Sequence, residues 1–368
     1  MALKYPSANG NWSTAANWNG GTLPVAGDDV RANGFTVTID VDINVLQIST
    51  NALAPAAAGG GFVVSTNRSI TANIIFGTTA CLTCSAGVTV TIIGDITGPQ
   101  SGVGGAAVNF TNAGSVLNIT GNVFGAANNS GGTVLSPGTV NFVGNVFGGS
   151  AGASAVGIGI SAGGNLVFTG NITAGGGTSI AISFSGSSST INGNIYAGSS
   201  TARGLSITSG THIINANCYG SNLAGSSSSA LSVIGGTSIV VNGTVYAGII
   251  SGSYGLSSTS SAVVVSNVEF TNGNTPISGF IKFKNTAPTI TVRKADNTNQ
   301  QLVDPSTTDI PVIANVRNGL TYASGSLTGT LKVPSPLTVG LGVPTDNTFG
   351  TAVINITDMG ALLASFQS

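Results

Sequence analysis

"VLNITGNVFG" (residues 116–125) and "TVNFVGNVFG" (139–148) share six of ten letters at a distance of 23 residues. Taking the residue before the Asn of "GN" as a reference, equivalents fall at Gly94, Gly121, Gly144, Gly170, Gly193, Ala216, Gly243 and Ser266. The spacings are 27, 23, 26, 23, 23, 27 and 23. A period this regular, in a chain rich in Val, Ile, Thr and Asn with no helical periodicity, predicts a β-solenoid in which each repeat is one coil.

The register can be tested by columns. Two residues before the reference stand Ile92, Ile119, Phe142, Phe168, Ile191, Ile214, Val241 and Val264; two after it stand Ile96, Val123, Val146, Ile172, Ile195, Cys218, Val245 and Val268. Both columns are apolar throughout and are expected to face inward. Directly after the reference stand Asp95, Asn122, Asn145, Asn171, Asn194, Asn217, Thr244 and Asn267, all polar. Strand side chains alternate between faces, so this column points outward or sits at a corner. Asn tolerates left-handed backbone and can bond to its copy in the next coil, so an Asn ladder is expected there.

Length changes between references fall in Gly/Ser/Ala tracts such as "GAANNSGG" and "GSNLAGSSSS", as expected of loops on one edge. The expected fold is all-β: a right-handed, single-stranded parallel β-helix over 35–283, with an N-terminal cap over 1–34 and a small C-terminal β domain over 284–368.

Composition narrows the function. Lys and Arg number 10 and Asp and Glu 11 in 368 residues, a net charge of −1, and 55 residues are Gly. Charged residues make up 6%, against about 25% in ordinary domains. The basic footprint of a nucleic-acid-binding protein is missing, so no nucleic-acid partner is expected. Mean hydropathy is +0.39, yet no stretch approaches the roughly 20 apolar residues of a membrane span, and no membrane insertion is expected. "MALKYPSANGNW" lacks the apolar core of a secretory signal, so the chain is expected to fold where it is made.

Few residues could carry chemistry. Between Asp95 and Glu269 there is no Asp, Glu or Lys, and Arg203 and His212 are the only basic side chains. Glycan cleavage uses paired carboxylates, so no catalytic residues are assigned and the protein is read as a non-enzyme. His212 falls in a largely apolar column (Val90, Leu117, Val140, Leu166, Ser189, His212, Ile239, Ala262) and reads as a hydrogen-bonded interior histidine. Arg203, in a variable loop tract, reads as a solvated charge. Cys81, Cys84 and Cys218 cannot form a disulfide framework, and one C-x-x-C without further ligands is a poor zinc signal; they read as small buried hydrophobes.

Acidic residues gather at the start (Asp28, Asp29, Asp40, Asp42) and near the end (Asp304, Asp309, Asp346, Asp358). Asp40 and Asp42 share a strand face that calcium could use, but no calcium-loop spacing is present. A solvated cap on the first coil is the better reading. No cofactor or metal is expected.

The column three residues after the reference holds Thr97, Phe124, Phe147, Thr173, Tyr196, Tyr219, Tyr246 and Glu269. Alternation turns Phe124, Phe147, Tyr196, Tyr219 and Tyr246 outward, as an aromatic stripe with coils about 4.8 Å apart. The stripe is a candidate subunit or ligand contact, because a long apolar strip seldom stays uncovered. A ring stack covered by its own loops and a sugar-stacking surface are the other readings.

Both ends differ from the coils. "GNWSTAANWNGGTLPVAGDDVRANGFTVTID" (10–40) holds both tryptophans, Trp12 and Trp18, together with Pro24. It resembles the entry segments of β-helical phage appendage proteins and autotransporter passenger domains, and suits a cap over the first coil. Residues 314–353, "ANVRNGLTYASGSLTGTLKVPSPLTVGLGVPTDNTFGTAV", contain a degenerate duplication. In it Val316, Gly319 and Gly329 answer to Val339, Gly342 and Gly350.

This pattern looks like a segment of tailed-bacteriophage virion proteins. The resemblance implies a structural component of the virion: a tail fibre, tailspike-like appendage or head decoration, used for assembly or host-surface adhesion. It further implies other virion proteins as partners, a homo-oligomer (a trimer by analogy), and a host glycan as a surface ligand. A polysaccharide-degrading tailspike enzyme and an autotransporter-like adhesin are the alternatives.

Overall fold

A computed structural model describes residues 1–283 except 78, 99–105, 111–113, 126–130, 150–154, 162, 223–227, 236–237, 250–252, 260–262, 272–276 and 280–281. Beyond 283 it describes only 290–293, 299–303, 321–322, 327–328, 344–345 and 348–349. Most of the expected C-terminal unit and of the 314–353 segment, and Asp304, Asp309, Asp346 and Asp358, lie outside the described residues. So do the middles of the two Gly/Ser/Ala tracts quoted above. The chain divides into two compact units, Met1–Val303 and Asp304–Ser368. The second contains two short antiparallel pairs, Thr321–Tyr322 with Leu327–Thr328 and Pro344–Thr345 with Thr348–Phe349.

The first unit is a parallel β-solenoid. A typical coil contributes a five-residue strand such as Val116–Thr120, a two-residue strand such as Val123–Phe124, and a strand of a separate 12-stranded sheet such as Ile180–Phe184. Successive coils pair in parallel and in register: Leu117 lies on Val140, Val140 on Leu166, Leu166 on Ser189 and Ser189 on His212. Side chains alternate across the five-residue strands, so Leu117 and Ile119 are buried while Asn118 is half-buried and Thr120 exposed. From Ile92 to Val241 and from Ile96 to Val268 the two apolar columns are no more than 2% exposed. Phe142 and Phe168 continue the register into the core as parallel rings 5.0 Å apart.

The corner between the five-residue strand and the two-residue strand of the same sheet explains the recurrent Gly. Gly144 has φ of +144°, and a Cβ there would lie 1.8 Å from the carbonyl oxygen of Gly121 in the preceding coil. The turn therefore excludes a side chain both by its backbone angle and by the closeness of the next coil.

Three expectations change. At the coil of Ser266 the register shifts between Val241 and Thr244, because Ser266 alone spans the corner that Asn242 and Gly243 make in the coil before. Val263 and Val265, not Ala262 and Val264, therefore pair with Ile239 and Val241, and both are fully buried. Arg203 is not in a loop: it opens the strand Arg203–Ile207, beside Ile180 of the neighbouring coil. The parallel stack also begins before residue 35. Leu3–Lys4 pairs in parallel with Asp29–Val30, and Gly10–Asn11 pairs with Val37–Thr38.

Within this first segment the tryptophans close the core. Trp12 and Trp18 pack edge to face at 4.8 Å, and Trp18 Nε1 donates to the Trp12 carbonyl at 2.8 Å. Both rings are buried, and Trp12 lies 6.0 Å from Phe62.

Candidate functional site

Two outward ladders run side by side along the two-residue strands. The first is the polar one. Asn122 Oδ1 accepts the backbone N–H of Asn145, Asn145 Oδ1 that of Asn171, and Asn171 Oδ1 that of Asn194, at 3.0–3.2 Å. Asp95 Oδ1 accepts the N–H of Asn122 at 2.8 Å, and Asn73 Oδ1 that of Asp95 at 3.0 Å. Each side chain thus satisfies a corner donor of the following coil, which would otherwise cost about 1–3 kcal/mol where water is excluded. Asn73, which the Gly-based reference misses because Ala72 precedes it, belongs to the same column through the pairing of Ile74 with Ile96.

The second ladder is the aromatic stripe, two residues further on. Phe124 pairs with Phe147, Phe147 with Thr173, Thr173 with Tyr196, Tyr196 with Tyr219, and Tyr219 with Tyr246. The rings lie face to face: Phe124 on Phe147 at 5.2 Å and 7°, Tyr196 on Tyr219 at 5.0 Å and 10°, Tyr219 on Tyr246 at 4.6 Å and 5°. Phe124 and Phe147 are 37% and 38% exposed, and the three tyrosines are half-buried. Stacking hides the ring faces within each block, so the ladder presents ring edges outward. Thr173 divides it into a phenylalanine pair and a tyrosine trio.

A third outward surface lies along the five-residue strands. Its side chains include Asn118, Asn141, Val143, Val167, Ile213 and Asn215, and from Thr89 to Asn242 none of the outward positions is charged. Amide pairs link neighbouring coils there, Asn141 Nδ2 to Asn118 Oδ1 at 2.8 Å and Asn215 Nδ2 to Asn192 Oδ1 at 2.9 Å. On the 12-stranded sheet a shallow groove of about 570 Å³ forms where Gly159 follows Leu135, bordered by Asn109, Ser161, Ser183 and Ser185. No titratable side chain lines it. Sequence reasoning missed it, since its only signal is one Gly in an outward column.

His212 is fully buried in the core column. Its Nε2–H donates to the Ser209 carbonyl at 2.6 Å, which leaves Nδ1 to accept from the Ser189 hydroxyl at 2.8 Å. Phe184 meets the ring edge-on at 4.9 Å. Burial pushes its pKa below the ordinary value, and the bond to Ser209 opposes this only in part. The ring is therefore neutral, and its sole polar column-mate, Ser189, is its partner.

The carboxylates of the first coils serve the backbone. Asp28 accepts the N–H groups of Ala2 and Val25, Asp40 that of Ser13 with its hydroxyl, and Asp42 that of Ser69. Asp29 pairs with Arg31 at 2.7 Å in a nearly buried contact. Burial raises the Asp40 pKa, but the bonds from Ser13, with Arg68 nearby, outweigh it and leave it lowered.

Cys81, Cys84 and Cys218 are fully buried and in no disulfide, and burial raises all three thiol pKa values, that of Cys218 to about 12. Among the described residues no group of three His, Cys, Asp or Glu side chains could hold a metal ion. Arg203 is half-buried on its strand.

No protein-family model, curated protein or solved structure matches this chain.

Proposed function

We propose that the chain is a structural rod of a tailed-phage particle, used for assembly or for contact with a host surface. The observation that carries this reading is the parallel in-register stack itself, with outward ladders of amides, hydroxyls and rings and no charged side chain on the outward face of the five-residue strands from Thr89 to Asn242. Neighbouring coils are tied by parallel pairing, and from Asn73 to Asn194 also by the Asn ladder, so the surface is stiff and repeats at about 4.8 Å. Such a surface suits one long contact better than a single enclosed site. The phage-like pattern in residues 314–353 supplies the particle context, and the fold alone supplies none.

Glycan hydrolysis is supported less well. Its paired carboxylates would have to come from outside residues 96–268, which contain no Asp or Glu. The carboxylates of Asp28, Asp40 and Asp42 are occupied by backbone N–H groups. Electron microscopy of intact particles, with labelled antibody against the solenoid, tests the reading. Regular label on tail or head is the expected result; protein recovered only free of particles overturns it.

A further inference from the structure

The aromatic ladder is interrupted at one coil. Phe147 and Tyr196 are both paired to Thr173 and so stand two coils apart, roughly 9.6 Å along the stack. The side chain between them is short, whereas on either side the coils carry stacked rings at 5.2 and 5.0 Å. A six-membered ring inserted midway would lie roughly 4.8 Å from each, the separation of the existing stacks. Phe147 is 38% exposed and Thr173 and Tyr196 are half-buried, so the outer half of this notch is open to solvent.

The polar ladder alongside differs at the same coils from the coils next to them. Asn122 Nδ2 bonds Asp95 Oδ1, Asn145 Nδ2 bonds Asn122 Oδ1, and Asn217 Nδ2 bonds Tyr219 Oη. Asn171 and Asn194, like Asn73 at the start of the ladder, make no such bond. Among the described residues no hydrogen bond engages Asn171 Nδ2, the side-chain amide of Asn194, Thr173 Oγ1 or Tyr196 Oη. Asn171, at the corner, and Thr173, on the strand Ile172–Thr173, are two residues apart, roughly 6.6 Å. Free amides and hydroxyls therefore surround a slot walled by two ring faces.

We propose that the Thr173 notch is a subsite for one pyranose ring of a neutral saccharide. The apolar C–H face of the sugar meets the electron-rich faces of Phe147 and Tyr196. Its equatorial hydroxyls meet Asn171, Asn194, Thr173 and Tyr196. An aromatic side chain of a protein partner would fill the slot but leave these polar groups unmatched; the one cation of the neighbouring coils, Arg203, belongs to the 12-stranded sheet, so the groups of the slot itself are neutral. The inference stands on ring and amide geometry and does not depend on the particle assignment.

The test uses the full chain with maltohexaose, cellohexaose and chitohexaose, followed by saturation-transfer NMR and titration. At least one should bind with a dissociation constant on the order of 1 mM, as a single stacked ring implies. Thr173→Tyr completes the ring stack and should weaken binding at least tenfold. Thr97→Tyr, which extends the stack beyond Phe124 and leaves the notch open, should leave it unchanged. Tyr196→Leu removes one wall and should also weaken binding tenfold, which serves if Thr173→Tyr fails to fold. Lack of binding to all three saccharides overturns the proposal. So does binding that Thr173→Tyr and Tyr196→Leu leave intact, or notch-dependent binding of N-acetyltryptophanamide alone.

Discussion

Replacing Gly144 by Ala strikes the corner on which coil stacking depends. A Cβ there would lie 1.8 Å from Gly121 O, where non-bonded contacts need more than 3 Å, so two coils must part locally by over an ångström. The groups at risk join these two coils: the Gly121 N–H to Val143 O bond (3.0 Å) and the Asn145 N–H to Asn122 Oδ1 bond (3.2 Å). Two net hydrogen bonds at about 1 kcal/mol each, with one donor left unsatisfied, give about 2–4 kcal/mol. The loss should be local, because each coil touches only its neighbours.

Hydrogen exchange followed by mass spectrometry reads this directly. Peptides covering 116–125 and 139–148 should exchange roughly 30- to 800-fold faster, at about 1.4 kcal/mol per tenfold change. Ala216→Gly changes the same corner in the coil that already accommodates a Cβ, and should cost only about 0.5–1 kcal/mol through backbone entropy. Less than a threefold change in Gly144→Ala, or equal effects at the two positions, would refute the reasoning.

Other perturbations probe other layers. Phe168→Ala removes one of two stacked core rings and should lose about 3–5 kcal/mol in urea unfolding. His212 is held neutral with a lowered pKa, so its contribution is complete above the unfolded value of about 6.5 and is lost as pH falls below it. Stability should drop by at most about 1.4 kcal/mol between pH 7.5 and 5.5, and His212→Leu should remove that part of the dependence. The three cysteines should resist dithionitrobenzoate in the folded chain and react in urea, since burial both shields them and suppresses the thiolate. If the ring ladder joins subunits, changing Tyr196, Tyr219 and Tyr246 together to Ser should reduce the mass in light scattering to that of a 36.0 kDa chain; an unchanged oligomer excludes the ladder as the interface.

Much of the solenoid was legible because stacking forces one residue type to recur wherever the environment recurs. Ile119, Phe142, Phe168 and Ile191 occupy the same place against the core, and Asn122 through Asn217 the same corner. Legibility ended where a coil departs from that rule. One missing residue at Ser266 displaced Val264 from its assigned column, and Ala72 hid the ladder's Asn73. Arg203 looked like loop because Gly and Ser surround it, although the strand it opens is held by the coils on either side. The two- and three-residue strands before residue 35 are too short to carry a periodicity.

Of the candidate site, the identity and outward direction of the five rings followed from alternation alone. Their parallel stacking, and the amides' choice of backbone N–H as partner, depend on coil-to-coil distances that residue types do not encode. Thr173 was visible as an exception in its column. Only the register, which places Phe147 and Tyr196 on either side of it, turns that exception into a slot.

The central claim, that residues a repeat apart are vertical neighbours in a parallel stack, is tested most directly by electron-spin distances between labels on outward positions. With Thr91 as the fixed site, labels at Asn141, Thr190 and Val240 lie two, four and six coils away. The three Cα separations should grow evenly, to roughly 10, 19 and 29 Å. Distances that fail to rise in proportion to the number of coils would contradict the fold and every functional inference built on it.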